Sequence, residues 1–431
     1  MAGNDTIFAV ATGAGKAGVA IIRVSGPQAF DAVKTLAGRV PESRRAALLS
    51  LRDASGDLLD KALVLVFEAG SSFTGEPVAE FQIHGSRAVQ SAVMRALGDI
   101  SGLRIAEPGE FTRRALDHGR LDVTEVEGLA DLINAETEAQ RRQAMALMTG
   151  ALSQLTADWR ADLVHALALL EATIDFADEE VPEDVSPEVQ LRLNRVGQGL
   201  AQQIRGYSSA ERVRDGFQIA ILGHPNVGKS TLLNTLAGRD VAITSDIAGT
   251  TRDVIEVRID LKGLPVTFID TAGLRATTDK VEALGVERAQ ARADSADIRV
   301  ILIDARGMPS GLEPRDGDLV LRAKVDLTGS SEGVSGLTGA GVDMLLDKLS
   351  TRLEAMAGQA GSAVQDRHLR AIEAAQADLA RALDELAGGS ERAELTSEWL
   401  RRAIDHLDAL VGKVTTEDIL DEVFLNFCLG K

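Results

Sequence analysis

The sequence is almost without cysteine and has no long uninterrupted apolar segment. Its single cysteine among 431 residues, Cys428, excludes a disulfide framework within the chain and is typical of a reducing compartment. The apolar stretch near the start, residues 7–24, is interrupted by Lys16, Arg23 and three glycines, so it predicts neither a signal peptide nor a membrane span. We therefore expect a cytoplasmic protein with no membrane partner.

The sequence also lacks a zinc-site pattern and an excess of positive charge. Its six histidines show no spacing typical of structural zinc ligands. The formal net charge of −19 argues against a protein that coats nucleic acid by charge alone. Any contact with a polyanion would need a local basic patch or a partner protein.

Changes of sequence pattern along the chain predict four segments. Residues 1–118 mix short strands with turns and indicate an α+β domain, whereas residues 119–214 are helical in pattern. Residues 215–357 alternate strands and helices as an α/β domain does, and residues 358–431 are helical again. The fold class predicted is therefore multi-domain, with an all-α bundle split by an inserted α/β domain, because domain termini often lie close together.

Several elements are predicted from periodicity. A helix is expected over Ser86–Leu97 and a long one along the apolar stripe from Leu152 to Ile174, followed by another that ends near Arg205. The G-x-G-x-x-G match at Gly13–Gly18 precedes a strand instead of a helix, so it predicts a hairpin loop and not a dinucleotide site. The predicted strands are Ile7–Ala11, Val19–Val24, Leu63–Phe67, Val78–His84, the half-exposed edge strand Val254–Leu261, and the buried strands Val266–Ile269, Arg299–Ile303 and Leu319–Leu321.

A phosphate-binding loop is predicted where a buried strand meets a helix. The run Gly223-x-x-x-x-Gly228-Lys229-Ser230 matches that motif at every fixed position. Glycines let successive backbone N–H groups surround a phosphate, to which the following helix points its positive end. Lys229 is then placed for the β- and γ-phosphates, and the Ser230 hydroxyl for Mg²⁺. The motif predicts a nucleoside triphosphate site.

Two later motifs favour a GTPase over a generic ATPase. In Ile269-Asp-Thr-Ala-Gly273, Asp270 can hold the Mg²⁺ shell through water and the Gly273 N–H can sense a γ-phosphate. Residues 246–253 include threonines suited to a switch loop that completes the Mg²⁺ shell. The order of the motifs predicts a P-loop, Ras-like G domain. Leu274 cannot position water as a glutamine would, so hydrolysis is slow or another group does this.

The guanine-reading motif is incomplete. A GTPase places Asn-Lys-x-Asp here and a Ser-Ala loop later, whereas this chain has Ala323-Lys324-Val325-Asp326 and Ser335-Gly336-Leu337. Asp326 can still accept hydrogen bonds from N1–H and the amine of guanine, and Lys324 can cover the base. The missing asparagine usually ties the base loop to the phosphate loop. Losing one neutral hydrogen bond costs about 0.5–1.5 kcal/mol, so weaker binding with guanine preference kept is predicted.

The sequence resembles the MnmE (TrmE) family of tRNA wobble-uridine modification GTPases over almost its whole length. The motifs that carry the resemblance are Asp5-Thr6-Ile7, Gly18-Val-Ala-Ile-Ile-Arg-Val-Ser-Gly-Pro27, Phe73-Thr-Gly-Glu76, Glu80-Phe-Gln-Ile-His-Gly85, Glu107-Pro-Gly-Glu-Phe-Thr-Arg-Arg-Ala-Leu116, Gly119-Arg-Leu-Asp122, Gly223-His-Pro-Asn-Val-Gly-Lys-Ser230, Gly249-Thr-Thr-Arg-Asp253 and Phe427-Cys-Leu-Gly-Lys431.

The resemblance implies a folate-binding-like N-terminal domain through which the protein forms a homodimer. That domain would hold a tetrahydrofolate derivative, 5,10-methylene or 5-formyl, as a one-carbon donor, with pterin contacts from Arg23, Glu80, Arg120 and Lys431. Arg120 stands where a lysine is commoner, which conserves charge but not geometry. Without the resemblance, Arg23 and Glu80 would be interpreted as an ordinary exposed ion pair worth about 0–1 kcal/mol.

The resemblance also assigns ions and catalytic groups. Hydrolysis in this family requires K⁺ and dimerisation of the G domains. A cation beside the β- and γ-phosphates can neutralise their charge as an arginine finger does. Glu282 matches the family's glutamate that orients the attacking water, a role that Leu274 cannot perform. Lys229 would contact the phosphates. The K⁺ ligands would be Asn226, Ser245, Ile247 and Thr250, and the Mg²⁺ ligands Ser230 and Thr251. The full nucleotide site predicted is Asn226, Val227, Gly228, Lys229, Ser230, Thr231, Ser245, Asp246, Ile247, Ala248, Gly249, Thr250, Thr251, Asp270, Thr271, Ala272, Gly273, Lys324, Asp326, Ser335, Gly336 and Leu337.

The implied function is tRNA modification with a partner. The family works with an FAD- and NADH-using MnmG (GidA) protein in a heterotetramer and installs an aminomethyl or carboxymethylaminomethyl group at C5 of the wobble uridine. Cys428 would lie by that active centre, where it affects modification and not hydrolysis. The alternative is a regulatory GTPase for RNA or ribosome assembly without modification chemistry. A kinase or ATPase is disfavoured by Asp326 and the Thr250-Thr251 pair.

Overall fold

The computed structural model describes residues 5–13, 15–175, 185–239, 242, 256–270, 293–309, 311–329, 332–358, 360–389 and 392–413. They fall into two compact units, one from Met1–Ala130 with Asp408–Lys431 and the other from Asp131–Leu407. Within the described residues, no helix combines the length and the apolar character that a membrane span requires.

The first unit is built on one six-stranded sheet in the order β3-β4-β5-β2-β1-β6, with β6 parallel to β1 and the other pairs antiparallel. Its elements in chain order are β1 (Thr6–Val10), β2 (Val19–Ser25), α1 (Ala29–Ala37), β3 (Ala47–Arg52), β4 (Leu58–Phe67), β5 (Val78–His84), α2 (Arg87–Gly98), β6 (Leu103–Ile105), α3 (Glu110–Asp117) and α4 (Val123–Asn134). One face of the sheet packs under α1 and α2 in a single apolar core that includes Ile22, Val64 and Phe81. The antiparallel pairing of β1 with β2 confirms the hairpin interpretation of the glycine-rich loop.

A buried ionic cluster ties the start of β1 to α3. The buried Arg114 guanidinium donates to Glu76 Oε1 at 3.1 Å and to Asp5 Oδ1 at 2.8 Å. Ser25 donates to the second oxygen of Glu76 at 2.7 Å. Burial by itself raises the pKa of Asp5, but Arg104 and Arg114 outweigh it and hold that pKa below its usual range. Because Glu76 closes the loop of residues 72–76, the cluster also fixes that loop against the sheet.

Replacing Arg114, the central cation of this cluster, tests how much the cluster contributes to the free energy of unfolding. Arg114→Met leaves the buried Glu76 carboxylate without its cation, and breaking a buried ion pair in this way costs about 3–5 kcal/mol. Hydrogen exchange of β1 and α3 should show that loss in the free energy of local opening. The matched control is Arg45→Met, whose exposed pair with Glu42 spans 2.9 Å and should contribute no more than about 1 kcal/mol. Equal effects of the two variants would contradict a stabilising role for the cluster.

Helices on both sides of the α/β segment in the sequence pack together in the second unit. The helices before it are α5 (Glu138–Met148), α6 (Ala151–Asp175) and α7 (Ser186–Asp215). Gly199 of α7 makes room for Trp159 of α6, since a Cβ there would lie 2.6 Å from the indole nitrogen. Two residues earlier in α7, Gly197 faces Leu379, which belongs to a helix that follows the α/β segment. This packing confirms the split bundle and the long predicted helix, α6.

The end of α7 was predicted too early. The helix runs past Arg205 to Asp215, because Tyr207, Ala210 and Val213 continue its buried stripe. Gly216, with a φ of 95°, then ends the helix one residue before a strand begins. The proposed domain boundaries themselves stay predictions.

The α/β segment contains a five-stranded sheet in the order β11-β10-β7-β9-β8. Its elements, and the helices after them, are β7 (Phe217–Gly223), α8 (Lys229–Ala237), β8 (Glu256–Leu261), β9 (Leu264–Asp270), β10 (Ile298–Ile303), β11 (Leu319–Arg322), α9 (Val325–Thr328), α10 (Val342–Ala357), α11 (Asp366–Ala387) and α12 (Ala393–Leu410). Neighbouring strands are parallel except β8, which lies antiparallel at the edge as its alternating pattern predicted. The carboxyl ends of β7 and β10 therefore meet at one side of the sheet.

Candidate nucleotide-binding site

The predicted phosphate loop follows the central strand β7 at the carboxyl side of the sheet. Its first glycine, Gly223, has a φ of 147°, and a Cβ there would lie 2.5 Å from the carbonyl oxygen of Leu302 on β10. Its last glycine, Gly228, has a φ of 116° and begins α8. Both positions need glycine, one for close approach and both for backbone conformation. Asn226, between them, adopts a left-handed conformation with a φ of 61°.

Lys229 closes this loop. Its ammonium donates to the carbonyl oxygens of Gly223 at 2.9 Å and His224 at 3.2 Å, and the residue is buried. The cation therefore lies across the loop, in reach of the space that phosphates occupy at a helix N-terminus. Ser230 follows it in the first turn of α8 and is exposed.

A second support of the loop comes from residues after β10 that the sequence analysis did not identify. Arg306 donates to the carbonyl oxygen of Pro225 at 3.2 Å and pairs with Asp304 at 2.5 Å. The hydrogen bonds that Arg306 donates to Asp304 lower the pKa of that carboxyl to about 2. In the sequence this pair is indistinguishable from any exposed charge pair, because only the fold brings it to Pro225.

A cavity of about 250 Å³ lies beside the phosphate loop. Lys324, in a left-handed conformation with a φ of 57°, starts α9 and places Asp326 in its first turn. The residues lining the cavity are Val227, Gly228, Thr231, Leu232, Leu302, Ala323, Lys324, Asp326, Leu327, Val334, Ser335, Gly336 and Leu337. The structure thus brings together the predicted phosphate-loop and base-reading residues around one cavity.

The loop that follows α9 closes the far side of the cavity. Val334 donates its N–H to the Arg322 carbonyl at 2.7 Å and continues the pairing of β11. The Ser335 N–H donates to Ala340 O at 2.8 Å, which turns the loop back on itself. A Cβ on Gly336 would lie 2.5 Å from the backbone nitrogen of Leu232 in α8. Glycine is therefore required where the GTPase pattern has alanine.

A separate cluster in the first unit brings together three of the four predicted folate residues. Arg23 and Glu80 are cross-strand partners on β2 and β5, and their ion pair spans 3.0 Å. Their side chains are only 21% and 18% exposed, so this is not the exposed pair that sequence reasoning alone favoured. The Arg23 guanidinium lies 5.4 Å from the ring centre of Phe73. Arg120 lies near the loop of residues 72–76 that carries Phe73, since a Cβ on Gly75 would be 3.4 Å from the Cγ of Arg120.

Comparison with known proteins decides the family. Residues 123–428 match the family model of the MnmE helical domain, and residues 6–120 match that of the N-terminus of the GTP-binding protein TrmE. The tRNA modification GTPase MnmE of Dinoroseobacter shibae is 56% identical over 99% of this chain and 100% of its own. That of Cereibacter sphaeroides is 54% identical over the same shares. The chain belongs to the MnmE family.

Family membership confirms the resemblance found in the motifs. A solved structure of Era from Aquifex aeolicus is 29% identical, covering 31% of this chain and 56% of its own, with a TM-score of 0.24. At that score the likeness supports no conclusion. The assignment to the MnmE family therefore rests on the family models and on the full-length relatives.

Several residues that the MnmE resemblance assigned lie outside the described part of the chain. Among the assigned residues that are described, Asp270 is the last residue of β9, and Asn226, Lys229 and Ser230 lie at the phosphate loop. Those outside the described residues are Ser245, Asp246, Ile247, Ala248, Gly249, Thr250, Thr251, Thr271, Ala272, Gly273, Glu282, Cys428 and Lys431. Their assignments stay predictions.

Proposed function

We propose that this protein hydrolyses GTP and uses that cycle in tRNA modification. With an FAD- and NADH-using partner of the MnmG (GidA) family, it installs an aminomethyl or carboxymethylaminomethyl group at C5 of the wobble uridine of certain tRNAs. The observation that carries the proposal is the single cavity that joins the phosphate loop at Gly228 to Lys324 and Asp326. The name shared by the full-length relatives, tRNA modification GTPase, supports the modification half.

Nucleotide binding follows from the donors and acceptors around that cavity. Backbone N–H groups at the start of α8 and the Lys229 ammonium, which lies across the adjacent loop, would bind the phosphates. Asp326 accepts from N1–H and the exocyclic amine of guanine, and adenine offers neither donor in that arrangement. Ala323 supplies a methyl group where the general GTPase motif has an asparagine amide, so the proposed site has fewer hydrogen bonds to hold its guanine-binding loop.

Mg²⁺ and K⁺ are the proposed ions of this site. The Ser230 hydroxyl and Thr251 would hold Mg²⁺, and Asn226, Ser245, Ile247 and Thr250 would hold K⁺. The described residues fit, because Asn226 is exposed at the tip of the loop and its amide oxygen is a hard donor. When bound, the cation offsets charge that develops between the β- and γ-phosphates. Glu282 is proposed to orient the attacking water.

GTP turnover in KCl and in NaCl at equal ionic strength tests the ion assignment. We expect strong activation by K⁺ that Asn226→Ala abolishes, since the variant removes an oxygen ligand without touching Lys229. Asn194→Ala, at an exposed position on α7, is the matched control and should keep the activation. Equal wild-type rates in both salts would contradict the K⁺ proposal while leaving a GTPase in place.

A tetrahydrofolate derivative, 5,10-methylene or 5-formyl, is the proposed one-carbon donor. Glu80 can accept from the amino and ring N–H groups of a pterin, and Arg23 can donate to its carbonyl oxygen. Their half-buried pair beside Phe73 offers an aromatic and charged edge of the kind that such a ring system fits. Arg120 and Lys431 are proposed to complete the contacts, with Cys428 near the transferred carbon.

Thermal unfolding with 5-formyltetrahydrofolate tests this proposal. A ligand that binds only the folded state stabilises it by about 2.7 kcal/mol at 100 times its Kd, so the melting temperature should rise. Glu80→Gln should reduce that rise, because the neutral amide accepts less strongly and leaves Arg23 unpaired. Glu42→Gln, which alters an exposed pair, should not. No rise for the wild type at saturating folate would contradict the cofactor proposal.

The sheet face that bears Arg23 and Glu80 supports the proposed homodimer. Opposite α1 and α2 this face exposes Val19 by 56%, Leu48 by 66% and Leu63 by 42%. Leu48 and Leu63 are direct cross-strand partners, so the exposed apolar surface is continuous between β3 and β4. Such patches typically mark protein interfaces. A dimer that binds two MnmG-type partners would form the proposed heterotetramer.

The rival function is a regulatory GTPase for RNA or ribosome assembly. It predicts no folate response and no effect of removing Cys428–Lys431, whereas the proposed function predicts loss of tRNA modification with GTP turnover kept. The net charge of −19 is compatible with tRNA contacts made largely through the partner protein.

A further inference from the structure

The loop at the far side of the base cavity, residues 332–341, is held from two directions. On one side Val334 continues the pairing of β11 through the Arg322 carbonyl at 2.7 Å. On the other side Gly336 packs directly on the backbone of α8 at Leu232. A side-chain hydrogen bond accompanies this second contact, from the Thr235 hydroxyl to the carbonyl oxygen of Gly336.

The Thr235 hydroxyl has two acceptors within reach and one proton to donate. The carbonyl oxygen of Thr231, one turn earlier in α8, lies 3.1 Å away, and that of Gly336 lies nearer. The back-bond to Thr231 is available to a threonine in any helix. The bond to Gly336 spans two separate elements, so it restrains their relative position.

This tether matters because of what stands at position 323. In the general GTPase motif an asparagine there joins the base loop to the phosphate loop, but the Ala323 side chain has no donor or acceptor. Thr235 lies on α8, the helix that begins at the phosphate-loop residue Lys229. The bond from Thr235 to Gly336 therefore ties a different wall of the same cavity, the 332–341 loop, to the helix that follows the phosphate loop.

We propose that Thr235 is a positioning residue for the guanine base, because it holds the 332–341 loop against α8 in a chain that lacks the asparagine connection at position 323. Thr235 is not itself among the residues that line the cavity. It contacts two that are, Thr231 and Gly336, and acts through them. It holds the wall formed by Ser335, Gly336 and Leu337 against α8, the helix that follows the phosphate loop. The inference rests on the proposed GTP binding and names the residue on which base affinity depends.

The experiment compares full-length variants by affinity for GDP and, separately, for inorganic pyrophosphate. Thr235→Val removes the hydroxyl at nearly constant volume and should weaken GDP binding about three- to tenfold, the effect of one neutral hydrogen bond. Pyrophosphate affinity should stay unchanged, since the phosphate loop is intact. Thr235→Ser keeps the hydroxyl and should bind GDP as the wild type does.

Thr351→Val is the matched control, because the Thr351 hydroxyl donates within α10 to the Asp347 carbonyl at 3.0 Å. It should change neither affinity. Wild-type GDP affinity in Thr235→Val would overturn the inference, and so would equal losses of GDP and pyrophosphate binding, which indicate general damage to α8.

Hydrogen exchange in the nucleotide-free protein separates this inference from the proposed function. The tether predicts faster exchange of residues 332–341 in Thr235→Val than in the wild type or Thr351→Val. Unchanged exchange would overturn the tether even if GDP binds. A wild type that binds no GDP would instead refute the proposed function, while the exchange result would still decide the tether.

Discussion

The parallel pairing of β7 between β9 and β10 is the constraint on which the nucleotide site depends. Three strands that run the same way end at one side of the sheet, and the loop after the central strand lies at the point where the chain connections diverge. Gly223 can follow β7 there only because it lacks a Cβ beside Leu302. The same geometry places Arg306 after β10 against Pro225, and α9 after β11 against the base cavity. Position in the sheet, more than any single contact, assembles the site.

The helical part of the second unit is joined to the other end of these strands. Arg212 near the end of α7 pairs at 2.5 Å with Asp297, which precedes β10. Ala139 of α5 donates its N–H to Gly263, in the turn before β9, at 2.9 Å. The short link at Gly216, between α7 and β7, is part of the same junction.

The sequence was most informative where spacing and backbone chemistry coincide. The phosphate loop was predicted residue by residue, because glycine, lysine and serine are each required at fixed positions. The extent of α7 was not, because Tyr207 and Val213 are buried by tertiary packing that extends a stripe beyond its apparent end. The need for glycine at position 336 was also invisible, since it depends on the approach of α8. The half-buried state of the Arg23–Glu80 pair was not visible either, because Arg23 lies beside the rings of Phe73 and Phe111, which are both far from it in sequence.

The central claim is that Asp326, in the cavity after β11, reads guanine. Asp326→Asn replaces an acceptor-only carboxylate with an amide whose NH₂ can donate to the 2-oxo group of xanthine. Competition binding of GTP, ATP and XTP to the wild type and this variant measures the claim most directly. The account predicts a wild type that prefers GTP over ATP and a variant whose preference moves from GTP to XTP. Wild-type binding of ATP and GTP with equal affinity, or an unchanged preference in the variant, would contradict it.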